Sequence, residues 1–531
     1  MTAFDAATRP LEGTDAVVVG GGFGGLSTAC YLARDGADVT VIEATEQLGG
    51  RAGVLEADGF RFDMGPSWYL MPDVFERFFG HFDRTPVDFY ELERLDPHYR
   101  VYFKDGDRAD VPADRPSAVE LFDSYEAGAG ETLERYLDDC ERNYEVAMEH
   151  FVYADRTRWR DFLDPAVARH ARGLTLLGSM QGHVSDYFDH PKLQQLVQYS
   201  LVFLGGSPHN TPALYSLMSH VDFNLGVWYP EDGIGSVVEA LVDLGRELGV
   251  TYYTDRPATA IRPASAGSAD AVSDGGIAES RGDRLVGTTD RPSGDLLVET
   301  TEGPLVTDVV VSNADYAHTE IELLEPEHRR YDEEYWQSRT YAPSAFLAYL
   351  GLEGELEELA HHTLVLPTDW DPHFERIFED PAWPSNPAYY VCAPSRTDPT
   401  VAPDGHAALF VLVPIAPGLE DGPERREAYL ETVLEDLATN AGVDLRDRIV
   451  FRRTFSVSDF ASRYNSYRGT ALGLAHTLRQ TAPLRPARRS KHLDGLYHVG
   501  ADTTPGIGMP MCLISGEHAA AAVRRDRGSP R

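Results

Sequence analysis

At 531 residues the chain is too long for one compact core, so two domains are expected. Hydrophobic residues at 42% are ample for a folded protein and exclude global disorder. With 47 Lys and Arg against 85 Asp and Glu the net charge is −38, which repels phosphate and argues against nucleic acid as a partner.

Only three lysines occur, Lys104, Lys192 and Lys491, and the acids are scattered rather than blocked. This reads as a surface that stays hydrated in concentrated salt, ahead of one that recruits basic partners. Residues 1–14 are a polar lead-in without the basic and apolar regions of an export signal. No apolar run approaches the ~20 residues of a bilayer span; the longest, 407–417, is broken by Pro414. The four cysteines, Cys30, Cys140, Cys392 and Cys512, form no C-x-x-C pair, and Cys30 and Cys512 fall in expected buried helices. Reduced structural thiols in a cytoplasm are expected.

Residues 15–51 organise the rest. An apolar run, 16–19, reads as a buried strand that breaks into Gly20, Gly21, Gly22, Phe23, Gly24 and Gly25. A helix follows to Gly36, then a second strand, 39–42, ending on Glu43. Gly20, Gly22 and Gly25 have G-x-G-x-x-G spacing inside a β-turn-α-β unit, the context of a dinucleotide site. Gly20 permits the tight turn, Gly22 the approach of a pyrophosphate, and Gly25 close packing of helix on strand. Glu43, 18 residues beyond Gly25, can accept from a ribose. Gly49, Gly50 and Arg51 then bring backbone and guanidinium toward phosphates, with a surface turn as the alternative. Residues 59–67 form a short strand stopping at Gly65 and Pro66.

From 75 to 227 helical patterns dominate, at 118–151, 165–177 and 192–204. Their apolar residues, among them Trp159, Phe162, Leu174, Leu176 and Leu177, then 196–197, Tyr199 and 201–204, suit a helical core or, alternatively, a lipophilic wall. Residues 226–250 read as strand, turn and helix, 251–261 as a strand, and 263–295 as an exposed, mobile insertion. Residues 296–314 form a hairpin turning at Gly303 and Pro304, then a buried strand. Between 331 and 484, strands at 346–350 and 407–413 alternate with a helix at 424–440. The C-terminal segment offers a strand, 496–499, a glycine-rich turn, 500–510, and a helix with Pro510 in its first turn.

Together 20–26, Glu43, 49–51 and 500–510 resemble the flavin-binding segments of the FAD-dependent amine oxidase superfamily. GGSPHNTPALYSLMSHVDFNLGVWYPEDGIG (205–235) and SDFASRYNSYRGTALGLAHTLRQTAPLRP (458–486) are similar to the bacterial and archaeal phytoene desaturase family within it. The resemblance spans nearly the whole chain. It departs at 263–295, which is longer than usual, and at Asp502, where many carotenoid desaturases carry a small residue.

The resemblance implies an α/β protein: a Rossmann-like FAD-binding domain (1–74, 226–320 and 487–531) and a discontinuous α+β substrate domain (75–225 and 321–486) with a helical, membrane-facing part. It implies FAD as cofactor, held by Gly20, Gly22, Phe23, Gly24, Gly25, Glu43, Gly50 and Arg51. Gly65, Pro66 and Ser67 would lie near the ring, and Asp502 and Met509 along the ribityl and ring side. The helix after Pro510 would aim its positive end at the reduced flavin.

The implied reaction is phytoene desaturation: hydride from an acyclic forty-carbon polyene passes to flavin N5, and loss of the neighbouring proton makes the double bond. His220 and Asp222 are candidate proton acceptors, though a lone core histidine is more often only hydrogen-bonded; no catalytic residue and no metal cluster are legible. The alternatives are 3,4-desaturation of a fifty-carbon precursor, redox-neutral isomerisation, a soluble nicotinamide dehydrogenase and a non-catalytic carotenoid carrier. The implied partners are the polyene and, by peripheral contact, the inner face of the cell membrane, with quinone or oxygen open as terminal acceptor.

Overall fold

The computed structural model describes residues 9–154, 178–264, 295–477 and 479–528. Contacts divide the chain into two units, one of Met1–Gly50, Leu241–Arg339 and Pro486–Arg531, the other of Arg51–Ala240 and Thr340–Arg485. Both combine sheets and helices, as an α/β nucleotide domain with an α+β companion requires.

The first unit is built on five parallel strands in the order Leu496–His498, Val309–Ser312, β1 (Asp15–Val19), β2 (Asp38–Ile42) and Thr251–Tyr253. Its central strands are continuous valine runs because both faces are covered. Helix α1 (Phe23–Arg34) is buried from Phe23 to Leu32 and lies against the C-terminal helix Met509–Arg527. Ser27 Oγ donates to Leu513 O at 2.8 Å across that contact. An antiparallel sheet of Ala258–Pro263, Leu296–Thr300 and Leu305–Thr307 follows. The single strand expected over 251–261 is therefore two, separated where Asp255 takes φ +54°, a left-handed turn that Asp tolerates.

The second unit centres on seven strands in the order Ile449–Phe455, Ser344–Glu353, His406–Ile415, Tyr389–Cys392, His362–Leu366, Tyr99–Phe103 and Arg108–Val111. The strand Ser344–Glu353 alternates between two cores: Ala345, Leu347 and Tyr349 enter one, Phe346, Ala348, Leu350 and Leu352 the other. Helix Pro423–Ala441 covers the second core with Leu430, Val433, Leu434 and Leu437.

The helical reading of 75–227 misses the short strands Leu92–Arg94, Tyr99–Phe103 and Arg108–Val111. The helix expected over 118–151 is two α-helices, Arg115–Tyr125 and Ala129–Ala147, followed by a π-helical turn, Met148–Val152; Gly128 at φ +85° separates the first two. Leu196, Val197, Tyr199 and Leu201 are core residues, as a helical core requires. The helix at 165–177 and nearly all of the insertion lie outside the described residues, as do Trp159 and Phe162. Cys30, Cys140 and Cys392 are buried free thiols, whereas Cys512 is only half-buried. Lys104 pairs with Asp436 at 2.7 Å and Lys192 with Asp105 and Asp107 at 2.8 Å. Among the described residues no helix is long and apolar enough to cross a membrane.

The crossing of α1 and the C-terminal helix is tight enough to test. A Cβ on Gly516 would stand 2.5 Å from Ser27 Oγ and 2.8 Å from Thr28 N. Alanine there would regain up to about 1 kcal/mol of helix propensity and blur the result, so valine is the better probe. Gly516→Val is expected to cost about 1–3 kcal/mol and to lower the melting midpoint in molar KCl. An unchanged midpoint would contradict the close crossing.

Candidate functional site

β1 runs directly into the glycine turn. Gly20 takes φ +98°, which a side chain would strain, and its N–H donates to Ile42 O at 2.8 Å. A Cβ on Gly25 would stand 2.1 Å from Gly20 O, so α1 can lie this close to the turn only with hydrogen at that position. Gly22 is the extended N-cap of α1, with no side-chain cap over the first turn. The first N–H groups, and the helix's partial positive charge, are left for an anion. Phe23 and Gly24 begin that turn and are buried.

Glu43 closes this cradle from the end of β2. Its Oε2 accepts from Gly21 N at 2.8 Å, and its Oε1 accepts from Thr45 N and Thr45 Oγ1, both at 2.9 Å. A carboxylate offers about four lone-pair positions, so one remains for a hydroxyl donor. Gly49 N donates to Gly21 O at 2.8 Å, and a Cβ on Gly50 would meet Gly22 Cα at 3.3 Å.

The C-terminal turn arrives at the same place. A Cβ on Gly24 would lie 3.2 Å from Gly500 Cα. Asn313 fills the space between the turns: Cβ atoms on Gly22, Gly24 and Gly500 would meet its amide at 2.8, 2.7 and 2.8 Å. Its own N–H donates to Val19 O at 2.8 Å. Sequence reasoning misses Asn313, whose one local signal is the polar S-N-A-D run as a buried valine strand ends. It also misses Arg488, a buried guanidinium that donates to Thr504 O at 3.2 Å and Thr504 Oγ1 at 3.1 Å and so braces the loop. Asp502 sits half-buried in this loop, and Met509 begins the C-terminal helix, whose N-cap Gly508 again leaves the first turn without a side-chain cap.

Arg51, Gly65, Pro66 and Ser67 belong to the other unit, where they also gather. A Cβ on Gly65 would stand 2.6 Å from Arg51 O, and Arg51 Nη2 donates to Ser466 Oγ at 2.8 Å. Ser67 Oγ is 2.8 Å from Tyr390 OH. Trp68 stacks on His362, ring centroids 4.0 Å apart, and its other ring neighbours include Tyr99 and Tyr199. Tyr99 OH donates to Asp222 Oδ2 at 2.9 Å. Burial pushes the Asp222 carboxyl up to about 7, against hydrogen bonds from Tyr99 and Tyr199 that favour the anion. Burial instead lowers His220, whose Nδ1 lies 2.9 Å from Asn224 Nδ2.

Two uncapped helix starts, glycine turns with no room for side chains and an acid with one free acceptor position suit the pyrophosphate and ribose of a dinucleotide. They define the class, a dinucleotide-binding α/β protein. The chain belongs to the flavin-containing amine oxidoreductase family, which matches residues 23–524, and it is an FAD-dependent oxidoreductase. It is 61% identical over 518 residues to the carotenoid 3,4-desaturase of Haloarcula japonica, covering 97% of this chain and 99% of that one. It is 33% identical to the zeta-carotene-forming phytoene desaturase of Myxococcus xanthus, over 95% and 92% of the two chains. An oxidoreductase structure from Methanosarcina mazei shares the fold, with a TM-score of 0.59 at 16% identity over 95% of this chain and 99% of that one.

Removing the Glu43 acceptor should weaken FAD binding. One charge-assisted hydrogen bond is worth about 1.5–3 kcal/mol, so Glu43→Ala is expected to raise the Kd about 10- to 100-fold, read from flavin fluorescence. An unchanged Kd would remove Glu43 from the site.

Asp222 makes stability depend on pH. Its folded-state pKa of about 7 lies above the usual 3.8, so the stability conferred by the bound proton is complete below about pH 4 and is lost as pH rises through about 7. Asp222→Asn cannot ionise, and the loss of stability between about pH 5 and about pH 8 should shrink, by at most about 3 kcal/mol. Urea midpoints across that range, with wild-type and variant slopes alike, would contradict the assignment.

Proposed function

We propose that this oxidoreductase is a carotenoid 3,4-desaturase acting on a long acyclic carotenoid, the fifty-carbon precursor being the substrate class. This is the alternative among the expectations above, and it takes precedence over phytoene desaturation. The observation that carries it is the 61% identity, end to end, with a carotenoid 3,4-desaturase, against 33% with a phytoene desaturase.

In the proposed reaction two hydrogens leave adjacent carbons of the polyene, one with its electron pair and one as a proton. Bound FAD supplies the two-electron acceptor. The α1 N-terminus and the glycine turns would hold its pyrophosphate, and Glu43 its adenosine ribose. Conjugation spreads the positive charge left on the polyene, so the second unit has more to do in positioning and excluding water than in supplying a strong base. The aromatic run from Trp68 to Tyr99 and Tyr199 offers apolar walls. Asp222, at about 7, is an enclosed carboxyl able to exchange a proton near neutrality.

Such a substrate is insoluble in water, which supports peripheral attachment to a membrane surface. A net charge of −38 does not forbid that, because molar salt shortens the screening length to roughly 3 Å.

The test is anaerobic incubation of the FAD-loaded protein at molar KCl with liposomes carrying either phytoene or the fifty-carbon precursor. Mass spectrometry and flavin absorbance would be followed together. The expected result is loss of two hydrogens from the precursor at the 3,4 position, flavin bleaching, and untouched phytoene. Coloured products from phytoene would restore phytoene desaturation, and a product of unchanged mass would mean isomerisation. Binding without bleaching would mean a carrier.

A further inference from the structure

Outside the dinucleotide cradle, the second unit encloses His361, His362 and Cys392, each offering one ligand atom within 4.8 Å of the others. His362 and Cys392 are register partners on the antiparallel strands His362–Leu366 and Tyr389–Cys392, so they share a sheet face. His361 is fixed beside them through its C=O, which accepts from Ala393 N at 2.8 Å. The two imidazoles meet edge to face, centroids 4.5 Å apart.

Their hydrogen bonding is half complete in the same way. His361 Nδ1 lies 2.8 Å from Thr397 Oγ1 and His362 Nδ1 lies 2.7 Å from Tyr390 OH, while both Nε2 atoms are buried with no partner. An unsatisfied buried polar atom costs about 1–3 kcal/mol, so two side by side need an explanation. With Nδ1–H donating to the hydroxyl, each Nε2 presents a bare lone pair, the arrangement of a metal-ligating histidine oriented by an oxygen behind it.

We propose that His361, His362 and Cys392 form a closed site for a soft d¹⁰ cation, and that it takes Cu⁺ in preference to Zn²⁺. The charge balance favours Cu⁺: one thiolate neutralises it, whereas Zn²⁺ would leave a positive charge in an apolar interior. Asp398 and Asp63 bear on the site electrostatically but are not among the grouped ligands, and their oxygens are held by other donors. Asp398 accepts from Tyr229 OH, Asp232 N, and Thr400 N and Oγ1, and Asp63 accepts from Ile234 N and Gly235 N. Trp68, stacked on His362, closes that side to water. Metal–ligand bonds of about 2.0–2.3 Å place trigonal ligand atoms about 3.5–3.8 Å apart, so side-chain rotations of about 1 Å complete the site. The inference is independent of the carotenoid reading.

The test loads the FAD-bound protein anaerobically with Cu⁺ or, separately, Zn²⁺, and competes each against a chelator. Metal per chain and the melting midpoint are measured. One Cu⁺ per chain is expected, raising the midpoint, with affinity lowered about 100-fold in His361→Gln and Cys392→Ser and retained in Cys512→Ser. Wild-type protein that takes up no stoichiometric Cu⁺, or Cys392→Ser that binds like wild type, would overturn the site. Stoichiometric Zn²⁺ held more tightly than Cu⁺ would overturn the charge argument. If the ligand variants fail to fold, the wild-type stoichiometry and midpoint shift still decide.

Discussion

The structure depends on one close approach: the glycine turn after β1 and the glycine turn before the C-terminal helix meet around the amide of Asn313. Gly24 and Gly500 are separated by almost the whole chain, yet a single added carbon at either would collide with that amide. The contact brings two uncapped helix starts to bear on one region, and each contributes unpaired N–H groups and a partial positive charge. We propose that a protein of net charge −38 thereby holds the phosphates of its cofactor. The hold would come from backbone dipoles, which persist in concentrated salt because no ion fits between a donor and an acceptor in direct contact.

The second unit solves a different problem. The central strands of its seven-stranded sheet are buried on both faces, yet one core admits an unusual set of polar groups: Asp222 with Tyr99, Ser67 with Tyr390, and the imidazoles of His361 and His362. In a low-dielectric interior each such group is costly unless paired. The aromatic hydroxyls do most of the pairing. Burial, working against those hydrogen bonds at Asp222, raises its carboxyl to about 7 and holds the two imidazoles unprotonated, so the interior carries little charge, as suits contact with a hydrocarbon.

Legibility followed distance along the chain. The β1-turn-α1-β2 unit could be read because its glycines, strand ends and Glu43 lie within thirty residues and each has a local conformational reason. The C-terminal turn was visible as a glycine-rich loop before a helix. Asn313 was not, since a lone polar residue after a strand carries no signal until the fold brings it to both turns. The strands at Tyr99–Phe103 and Arg108–Val111 were lost within helical composition; they pair with each other, and the pair joins the rest of its sheet only through a strand more than 250 residues away. Gly128 could have announced the break between the helices Arg115–Tyr125 and Ala129–Ala147. His361, His362 and Cys392 have no ligand spacing in sequence, because strand pairing rather than a short loop unites them.

The central claim is that both glycine turns hold one flavin. Hydrogen–deuterium exchange of the apoprotein and the FAD-bound protein in molar KCl tests it most directly. The account predicts that FAD slows exchange together in 20–26 and 500–512. Protection of the N-terminal turn alone, with the C-terminal turn exchanging as before, would contradict it.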